Sequence, residues 1–248
     1  MRAGPVKIAV LADIHANIAA LEAVLVEVRR EQIDQLVLLG DMVGYYYEPR
    51  AVIAALAGFD CIAIRGNHDR MAIEAREDDS VRSDYRRRYG SGLEAVFEQF
   101  GPEEWDWLAR LPERREITLG EQKILLAHGA PFDSDAYVYP DANAARLARV
   151  GEGFDGDAIW LGHTHWPLVK PGRPTILNPG SVGQPRDIGG LASWAIFHAD
   201  TGVVALRRTE FAVDATMAQS CQRDPTLPRL GEVLVRGRLG PIRMECAA

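Results

Sequence analysis

Short runs of apolar residues recur along the chain, and most of them end in polar residues. The first run, residues 6–12, predicts a buried strand. Asn17 then offers a side-chain cap to a helix whose apolar residues recur at helical spacing. Further strands are predicted at residues 36–39 and 61–64, with a helix between them at residues 50–56. This alternation of strand and helix predicts a largely parallel sheet.

The second half of the chain predicts three more buried strands, at residues 124–127, 158–161 and 175–177. A hairpin is expected further on, where residues 193–198 and 203–207 flank a tight Asp-Thr-Gly turn. The whole pattern therefore predicts a layered α/β domain in which parallel strands give way to antiparallel ones.

Two regions differ from this pattern. Residues 71–121 are rich in charge and hold Trp105 and Trp107, and we interpret them as two or three helices inserted between core strands and lying over the site. The tail, about residues 213–248, has polar turns followed by a short apolar segment. We expect residues 1–248 to form a single domain that includes both regions.

Residue types that bind metals collect at the ends of the predicted strands. In an open α/β sheet, ligands bind beyond the carboxyl ends of the strands. Five of the six histidines lie at such ends, whereas His198 lies inside a predicted strand and is interpreted as a core or edge residue. One pocket is therefore expected to collect Asp13, His15, Asp41, Asn67, His68, His128, His163 and His165.

The chemistry of this set favours a divalent transition metal. Imidazole and carboxylate groups together suit Mn, Fe, Ni or Zn better than Ca. Asp13 and His15 are two residues apart, which points both side chains the same way at a strand end, and His163 and His165 repeat that spacing. A single Asp-x-His is usually only a turn feature. The prediction of a metal site therefore rests on the whole set of residues at successive strand ends.

Composition narrows the possible partners. The chain has 28 basic and 35 acidic residues, a net charge of −7, which argues against a nucleic-acid duplex as partner. No run approaches the 18 apolar residues of a membrane span, and the start lacks the apolar core of a signal peptide, so we expect a cytoplasmic enzyme. Three widely spaced cysteines argue against a disulfide framework and exclude a cysteine zinc site.

The motifs run in the order of a known family. They are Asp13-Ile14-His15, Gly40-Asp41-Met42-Val43-Gly44, Gly66-Asn67-His68-Asp69, His128-Gly129 and Gly162-His163-Thr164-His165. In these motifs the chain resembles the calcineurin-like metallophosphoesterases over roughly residues 6–181. Asn178-Pro179-Gly180-Ser181-Val182, followed by Pro185-Arg186, resembles the small bacterial and archaeal phosphodiesterase branch. The resemblance implies a four-layer sandwich, with two mixed β-sheets flanked by helices and a two-metal centre at its edge.

The resemblance also implies a division of the ligands. One metal would be held by Asp13, His15, Asp41 and His165, and the other by Asp41, Asn67, His128 and His163, so that Asp41 bridges two divalent transition-metal ions, with manganese favoured. Our hypothesis for the reaction is attack on phosphorus by a metal-bridging hydroxide. His68 would act as a proton donor to the leaving group or as a phosphate-binding group.

One departure from the family bears on the substrate. Protein serine/threonine phosphatases have Asp-Arg where this chain has Gly44-Tyr45, which removes an expected partner of the active-site histidine and a phosphate-binding arginine. We therefore expect a small phosphoester or nucleotide substrate, most simply a phosphodiester, instead of a phosphoprotein. Arg186 and Tyr45 could touch that substrate, although we interpret them as a surface arginine and a packed tyrosine.

Two alternatives stay open at this point. The first is a phosphomonoesterase or a dinucleoside polyphosphate hydrolase with the same metal centre. The second is a binding scaffold that keeps the fold but has lost catalysis; such relatives typically lose ligands, and this chain retains the full set. The oligomeric state is not predicted.

Overall fold

The predicted alternation of strands and helices is present in a computed structural model, which describes residues 6–237. The strands are β1 (Lys7–Leu11), β2 (Gln35–Leu38), β3 (Asp60–Ala63), β4 (Arg114–Leu119), β5 (Gln122–Ala127), β6 (Ala158–Trp160), β7 (Pro167–Lys170), β8 (Thr175–Pro179), β9 (Leu191–His198) and β10 (Val203–Glu210). The helices are α1 (Ile18–Arg30), α2 (Pro49–Leu56), α3 (Asn67–Glu74), α4 (Asp79–Tyr89), α5 (Gly92–Gln99), α6 (Pro102–Arg110), α7 (Ala144–Gly151), α8 (Asp214–Arg223) and α9 (Arg229–Glu232), followed by a 3₁₀ turn, Val233–Val235.

The strands form two mixed sheets of five strands each. The first sheet has the order β10-β9-β1-β2-β3, in which β1, β2 and β3 are parallel, β9 is antiparallel to β1, and β10 is antiparallel to β9. The second has the order β4-β5-β6-β8-β7, in which β5, β6 and β8 are parallel and the two edge strands are antiparallel. Each sheet therefore has a parallel centre whose carboxyl ends can carry a site.

Alternating side chains explain how the layers stack. In β1, Ile8 and Val10 face the second sheet and join a buried cluster with Trp160 and Leu177. Ala9 and Leu11, which alternate with them, belong instead to the cluster packed against the helices on the outer face. Successive strand residues point to opposite faces, so a continuous apolar run is what a strand buried on both sides requires. The result is the predicted four-layer sandwich of helices, sheet, sheet and helices.

Some elements were not predicted. Residues 71–121 contain α4, α5 and α6, but also β4, whose side chains are largely exposed because it is an edge strand. The short strand β7 and the helices α7 and α8 were missed as well. α7 is only eight residues long with one buried residue, and the buried residues of α8 are Thr216 and Ser220, so neither helix is marked by a long series of buried apolar residues.

Two further expectations can be compared with the described residues. Of the three cysteines, Cys61 is a free thiol, and Cys246 lies outside the described residues. Among residues 6–237, no helix combines the length and the apolar character that crossing a membrane demands.

Candidate metal centre

The carboxyl ends of parallel strands from both sheets meet at one edge of the sandwich. The ends of β1, β2 and β3 contribute four of the predicted ligands, namely Asp13, His15, Asp41 and Asn67, and the ends of β5 and β6 contribute His128, His163 and His165. All seven side chains are buried. The predicted convergence is therefore present, including the pair that tests it best: His128 Nε2 lies 3.2 Å from Asp41 Oδ2.

The backbone at these strand ends is strained. Among the described residues, eight residues other than glycine have positive φ, and seven of them lie in the site loops: Asp13, His15, Ala16, Asp41, Tyr45, His163 and His165. Such conformations cost about 1–3 kcal/mol each and persist only where the surroundings enforce them. Gly40 (φ +91°) is needed for close packing, because a Cβ there would lie 2.8 Å from His128 Nδ1. The loops thus hold side chains in positions that local preference disfavours.

Each of the four candidate ligand histidines is oriented by a backbone carbonyl. His15 Nδ1 donates to Val43 O (3.2 Å), His128 Nδ1 to Leu39 O (2.7 Å), His163 Nε2 to Asp135 O (3.1 Å) and His165 Nδ1 to Gln184 O (2.7 Å). A carbonyl oxygen can only accept, so these bonds put the proton on the outward nitrogen. In its neutral form, each ring then presents a lone pair to the pocket from the inward nitrogen, as metal-binding histidines do.

Two of these lone pairs face each other. His15 Nε2 and His165 Nε2 are 3.0 Å apart, although both rings already donate through the other nitrogen. Two acceptors at that distance repel unless a proton or a cation lies near both. Asn67 Oδ1 stands in a similar relation to His128 Nε2 (3.0 Å) and His163 Nδ1 (2.9 Å). The donor set therefore fits divalent cations well.

The donors fall into two groups, and the carboxylate of Asp41 lies between them. Asp13, His15 and His165 can offer atoms to one cation, and Asp41, His128 and His163 to another, with the atoms of each group within 4.8 Å of one another. Asp41 Oδ2 is 3.6 Å from His15 Nε2 and 3.2 Å from His128 Nε2, so it lies between the groups. A third possible grouping joins His15 and Asp41 to His68.

Asp69 organises the loops that carry this carboxylate. Its side chain accepts from the backbone N–H groups of Asp41 (2.8 Å), Val43 (3.1 Å) and Gly66 (2.9 Å). The last of these bonds also caps α3, which starts at Asn67. Asp41 Oδ1 in turn accepts from the backbone N–H of His68 at 2.8 Å. Asp69 therefore both orients the loop and caps the helix.

Burial makes the pocket electrostatically demanding in the absence of metal. Loss of solvation raises the pKa of Asp13 to about 8. For His128, burial opposes the charged form, but the charge of Asp41, its hydrogen bond and the charge of Asp13 together outweigh burial and raise the pKa to about 10. Burial lowers the pKa of His163 to about 4. The metal-free pocket thus retains protons that a bound cation would displace.

His68 lies in the same pocket, but its Nδ1 contacts a side chain, whereas each of the other four histidines contacts a backbone carbonyl. It is 4% exposed, and its Nδ1 is 2.7 Å from the hydroxyl of Tyr85 in α4. Burial lowers the pKa of His68 to about 4, and the carboxylate of Asp41 opposes that shift. The ring packs edge-on against His15, with centroids 4.9 Å apart. His68 therefore lies beside the candidate ligands as a neutral imidazole.

Sequence reasoning misjudged or missed several residues around the pocket. Arg186 is half-buried, and its Nη2 donates to Tyr45 Oη (3.2 Å) and Gln184 Oε1 (3.3 Å). Burial lowers the pKa of His165 well below its usual value, and the charge of Arg186 lowers it further, so the guanidinium lies near the site. The interpretation of Arg186 as a surface residue was wrong; its position beside the Asn-Pro-Gly-Ser motif was the available signal.

Aromatic residues line one side of the pocket without any motif to announce them. Tyr137 stacks on His163 with ring centroids 4.1 Å apart and an interplanar angle of 25°. Tyr139 is parallel to Tyr137, with centroids 5.5 Å apart, and the two rings are 39% and 45% exposed, respectively. His198, by contrast, lies at the end of the interior strand β9, paired with Lys7 of β1 and Val203 of β10.

The motif after β8 supports the site from outside. Asn178 Nδ2 donates to Gly162 O and to Thr164 Oγ1, and Ser181 Oγ donates to Asp13 O at 2.7 Å. These bonds connect the loops after β1, β6 and β8. Their effect is to fix the backbone that carries the ligands, which is why this motif accompanies the metal-binding residues.

Comparison with known families identifies the class of protein to which this chain belongs. The model of the calcineurin-like phosphoesterase superfamily domain matches residues 6–202. The chain is a calcineurin-like phosphoesterase. As a member of that family it is a metal-dependent phosphoric ester hydrolase, and the resemblance inferred from its motifs is confirmed.

Individual relatives span nearly the whole chain. A curated but uncharacterized protein of Methanocaldococcus jannaschii is 30% identical, with 93% of this chain and 98% of that protein covered. The crystal structure of a metallophosphoesterase from Sphaerobacter thermophilus is also 30% identical, covers 93% of this chain and 98% of that one, and has a TM-score of 0.74. A hypothetical protein of Pyrococcus horikoshii OT3, at 22% identity, 94% and 98% coverage and a TM-score of 0.81, shares the fold.

Proposed function

We propose that this calcineurin-like phosphoesterase hydrolyses phosphodiesters with two divalent transition-metal ions, manganese being the favoured one. The observation that carries the proposal is the position of Asp41 between two groups of donors, one with Asp13, His15 and His165 and the other with His128 and His163. Asn67 belongs with the second group by its contacts to both imidazoles. The donor types suit Mn, Fe, Ni or Zn.

The residues of the chain have separable tasks in this proposal. Bound metal ions would act as Lewis acids on the phosphate and lower the pKa of water. Asp41, whose Oδ2 lies 3.6 Å from His15 Nε2 and 3.2 Å from His128 Nε2, would help to hold both ions. His68 donates a hydrogen bond to a phosphate or leaving-group oxygen. Arg186, whose guanidinium is held by Tyr45 and Gln184, contacts a non-bridging oxygen of the substrate.

The surroundings of the pocket support a diester over a monoester. A monoester carries more negative charge and calls for additional cations. Among residues 6–237, Arg186 forms no ion pair and is available to a phosphate. Arg70 is not an additional cation for the substrate, because it is already paired with Asp135. A diester needs room for two organic groups, and the half-exposed rings of Tyr137 and Trp166 offer apolar surface beside the ligands.

The test compares bis-p-nitrophenyl phosphate with p-nitrophenyl phosphate in the presence of Mn²⁺. We expect kcat/KM to favour the diester by about tenfold or more, equivalent to ~1.4 kcal/mol of transition-state binding. Parallel assays with Zn²⁺, Ni²⁺ and Mg²⁺ rank the metals, and the Asp41→Asn variant provides the blank. Preference for the monoester would reject diester specificity, and activity surviving in the blank would reject the metal centre.

One alternative has an observation of its own. The Tyr137–Tyr139 stack extends outward from His163 and offers an aromatic surface of the kind on which a nucleobase can stack. This favours a nucleotide substrate, including a dinucleoside polyphosphate. Assaying such a compound beside the aryl diester separates the two: a lower KM for the nucleotide supports the alternative, and equal KM values argue against it.

A further inference from the structure

The feature that the proposed function does not explain is the partner of His68. Four histidines in the pocket donate to backbone carbonyls, but His68 Nδ1 contacts the phenol hydroxyl of Tyr85 at 2.7 Å. Tyr85 belongs to α4, in the segment inserted between β3 and β5, and is 2% exposed. A buried hydrogen bond between side chains of two different helices, α3 and α4, calls for a reason.

The hydrogen bonds of Tyr85 define the direction of this contact. The backbone N–H of Tyr45 donates to the Tyr85 hydroxyl at 3.2 Å, so the oxygen is already an acceptor. A phenol has one proton to donate, and leaving it unpaired in a buried position would cost about 1–3 kcal/mol. Among the described residues, His68 Nδ1 is the acceptor within reach. Tyr85 therefore donates to Nδ1, and the proton of a neutral His68 is on Nε2.

The local sequence is built around this pair. Gly44 has φ +91°, and a Cβ at that position would lie 2.5 Å from the Tyr85 hydroxyl and 2.6 Å from His68 Nδ1. The next residue, Tyr45, supplies the N–H that completes the contact. The Gly44-Tyr45 dipeptide, which replaces the Asp-Arg of protein phosphatases, thus makes room for a phenol where a carboxylate partner is missing.

We infer that Tyr85 is a positioning residue: its buried hydroxyl donates to His68 Nδ1 and so keeps the His68 Nε2–H available as a hydrogen-bond donor to the oxygens of the phosphoester. A carboxylate partner would accept from Nδ1 and favour the opposite tautomer. A phenol partner instead makes His68 a neutral donor. This inference rests on the proposed function for the identity of the substrate, but its structural part concerns only residues of this chain.

The direct test is nitrogen NMR of protein labelled with ¹⁵N-histidine, metal-free and then loaded with diamagnetic Zn²⁺. The protonated and bare nitrogens of an imidazole resonate far apart, and a His68→Gln variant assigns the His68 signals by their disappearance. We expect a protonated Nε2 and a bare Nδ1 in the wild type, and loss of this single pattern in Tyr85→Phe. A proton on Nδ1 in the wild type, or an unchanged pattern in Tyr85→Phe, would overturn the inference.

Tyr89→Phe is the matched control. Tyr89 lies one turn further along α4, and its ring centroid is 4.9 Å from that of His68, but among residues 6–237 the hydroxyl that bonds His68 is that of Tyr85. Removing the Tyr89 hydroxyl should leave the His68 signals unchanged. If Tyr89→Phe altered them as much as Tyr85→Phe does, general packing of α4 and not the Tyr85 hydrogen bond would be responsible.

Kinetics then separate positioning from a merely structural role. Tyr85→Phe should lower kcat by about tenfold to a hundredfold, as losses of orienting partners typically do, with little change in KM or metal content. In a His68→Gln background the same change should cost nothing more, because Tyr85 acts through His68. Losses that multiply would contradict the inference. Absence of phosphoester hydrolysis in the wild type would instead reject the proposed function and leave the NMR result standing.

Discussion

The four candidate ligand histidines and His68 lie in one buried pocket, yet they are held by different parts of the molecule. The four ligand rings donate to main-chain carbonyls of the site loops, which no substitution of a partner side chain can remove. His68 depends on the side chain of Tyr85, from a helix outside the sheets. The candidate ligand histidines are thus oriented by the backbone of the site loops, whereas the hydrogen bond that orients His68 depends on the inserted segment.

The largest effect that this comparison predicts belongs to the carboxylate of Asp41. Asp41→Asn removes the negative charge that lies between the two donor groups, so both metals should be weakened at once. Metal ions contribute several kcal/mol to such reactions, so kcat/KM should fall by roughly a thousandfold or more. Metal analysis of the purified variant and steady-state kinetics measure the two effects, with the exposed Asp141→Asn as the matched control. Normal activity with normal metal content would be incompatible with a shared ligand.

The second prediction compares a substitution of His68 with a substitution of a candidate ligand histidine, His165. His68→Asn should keep its metal and lose about a hundredfold or more in kcat, the range typical of a group that assists proton or hydrogen-bond transfer. His165→Asn should lose metal as well as activity, since its Nε2 faces Asp13 and His15. Metal analysis distinguishes them. Metal loss in His68→Asn would place that residue among the ligands and erase the distinction.

A smaller effect is expected from Asp69. Replacing its carboxylate by an amide puts an N–H₂ group among three backbone N–H donors, at Asp41, Val43 and Gly66. The loop that carries Asp41 should then shift, and metal affinity should weaken by about tenfold to a hundredfold. Titration calorimetry with Mn²⁺ on Asp69→Asn checks this. An unchanged affinity would mean that the loop is held by the strands alone.

Metal binding should also depend on pH, because the metal-free pocket retains protons. Although burial opposes it, the carboxylates of Asp41 and Asp13 raise the pKa of His128 to about 10, so near neutral pH a metal must displace that proton. Affinity should rise with pH, by about tenfold per pH unit for each proton displaced. Calorimetry in buffers of different ionisation enthalpy counts the protons. A pH-independent affinity between about pH 6 and 8 would show that His128 is already neutral.

The same division explains what the sequence could predict. Residues 8–12 and 36–39 are continuous apolar runs followed by metal-binding residue types, so both the strands and their ligands could be recognised. Tyr85 carries no such signal. It lies in a charge-rich helix with one buried residue, and its contact with His68 depends on how the inserted segment folds back.

The edge strand β4 and the contact of Arg186 could not be predicted from the sequence for a related reason. The strand β4 pairs with β5 along its length but exposes most of its side chains, so no apolar run marks it. Arg186 was misread because an arginine in a loop is normally solvated, and its contact with Tyr45 joins residues 141 positions apart. Long-range contacts between side chains leave little trace in local periodicity.

The claim on which the rest depends is that this pocket binds two metal ions per chain. Equilibrium dialysis of the metal-stripped wild-type protein against Mn²⁺, followed by metal analysis, measures it directly. We predict two Mn²⁺ per chain in the wild type and a marked loss in Asp41→Asn. Saturation at one ion or none, or equal binding by the two proteins, would contradict the account.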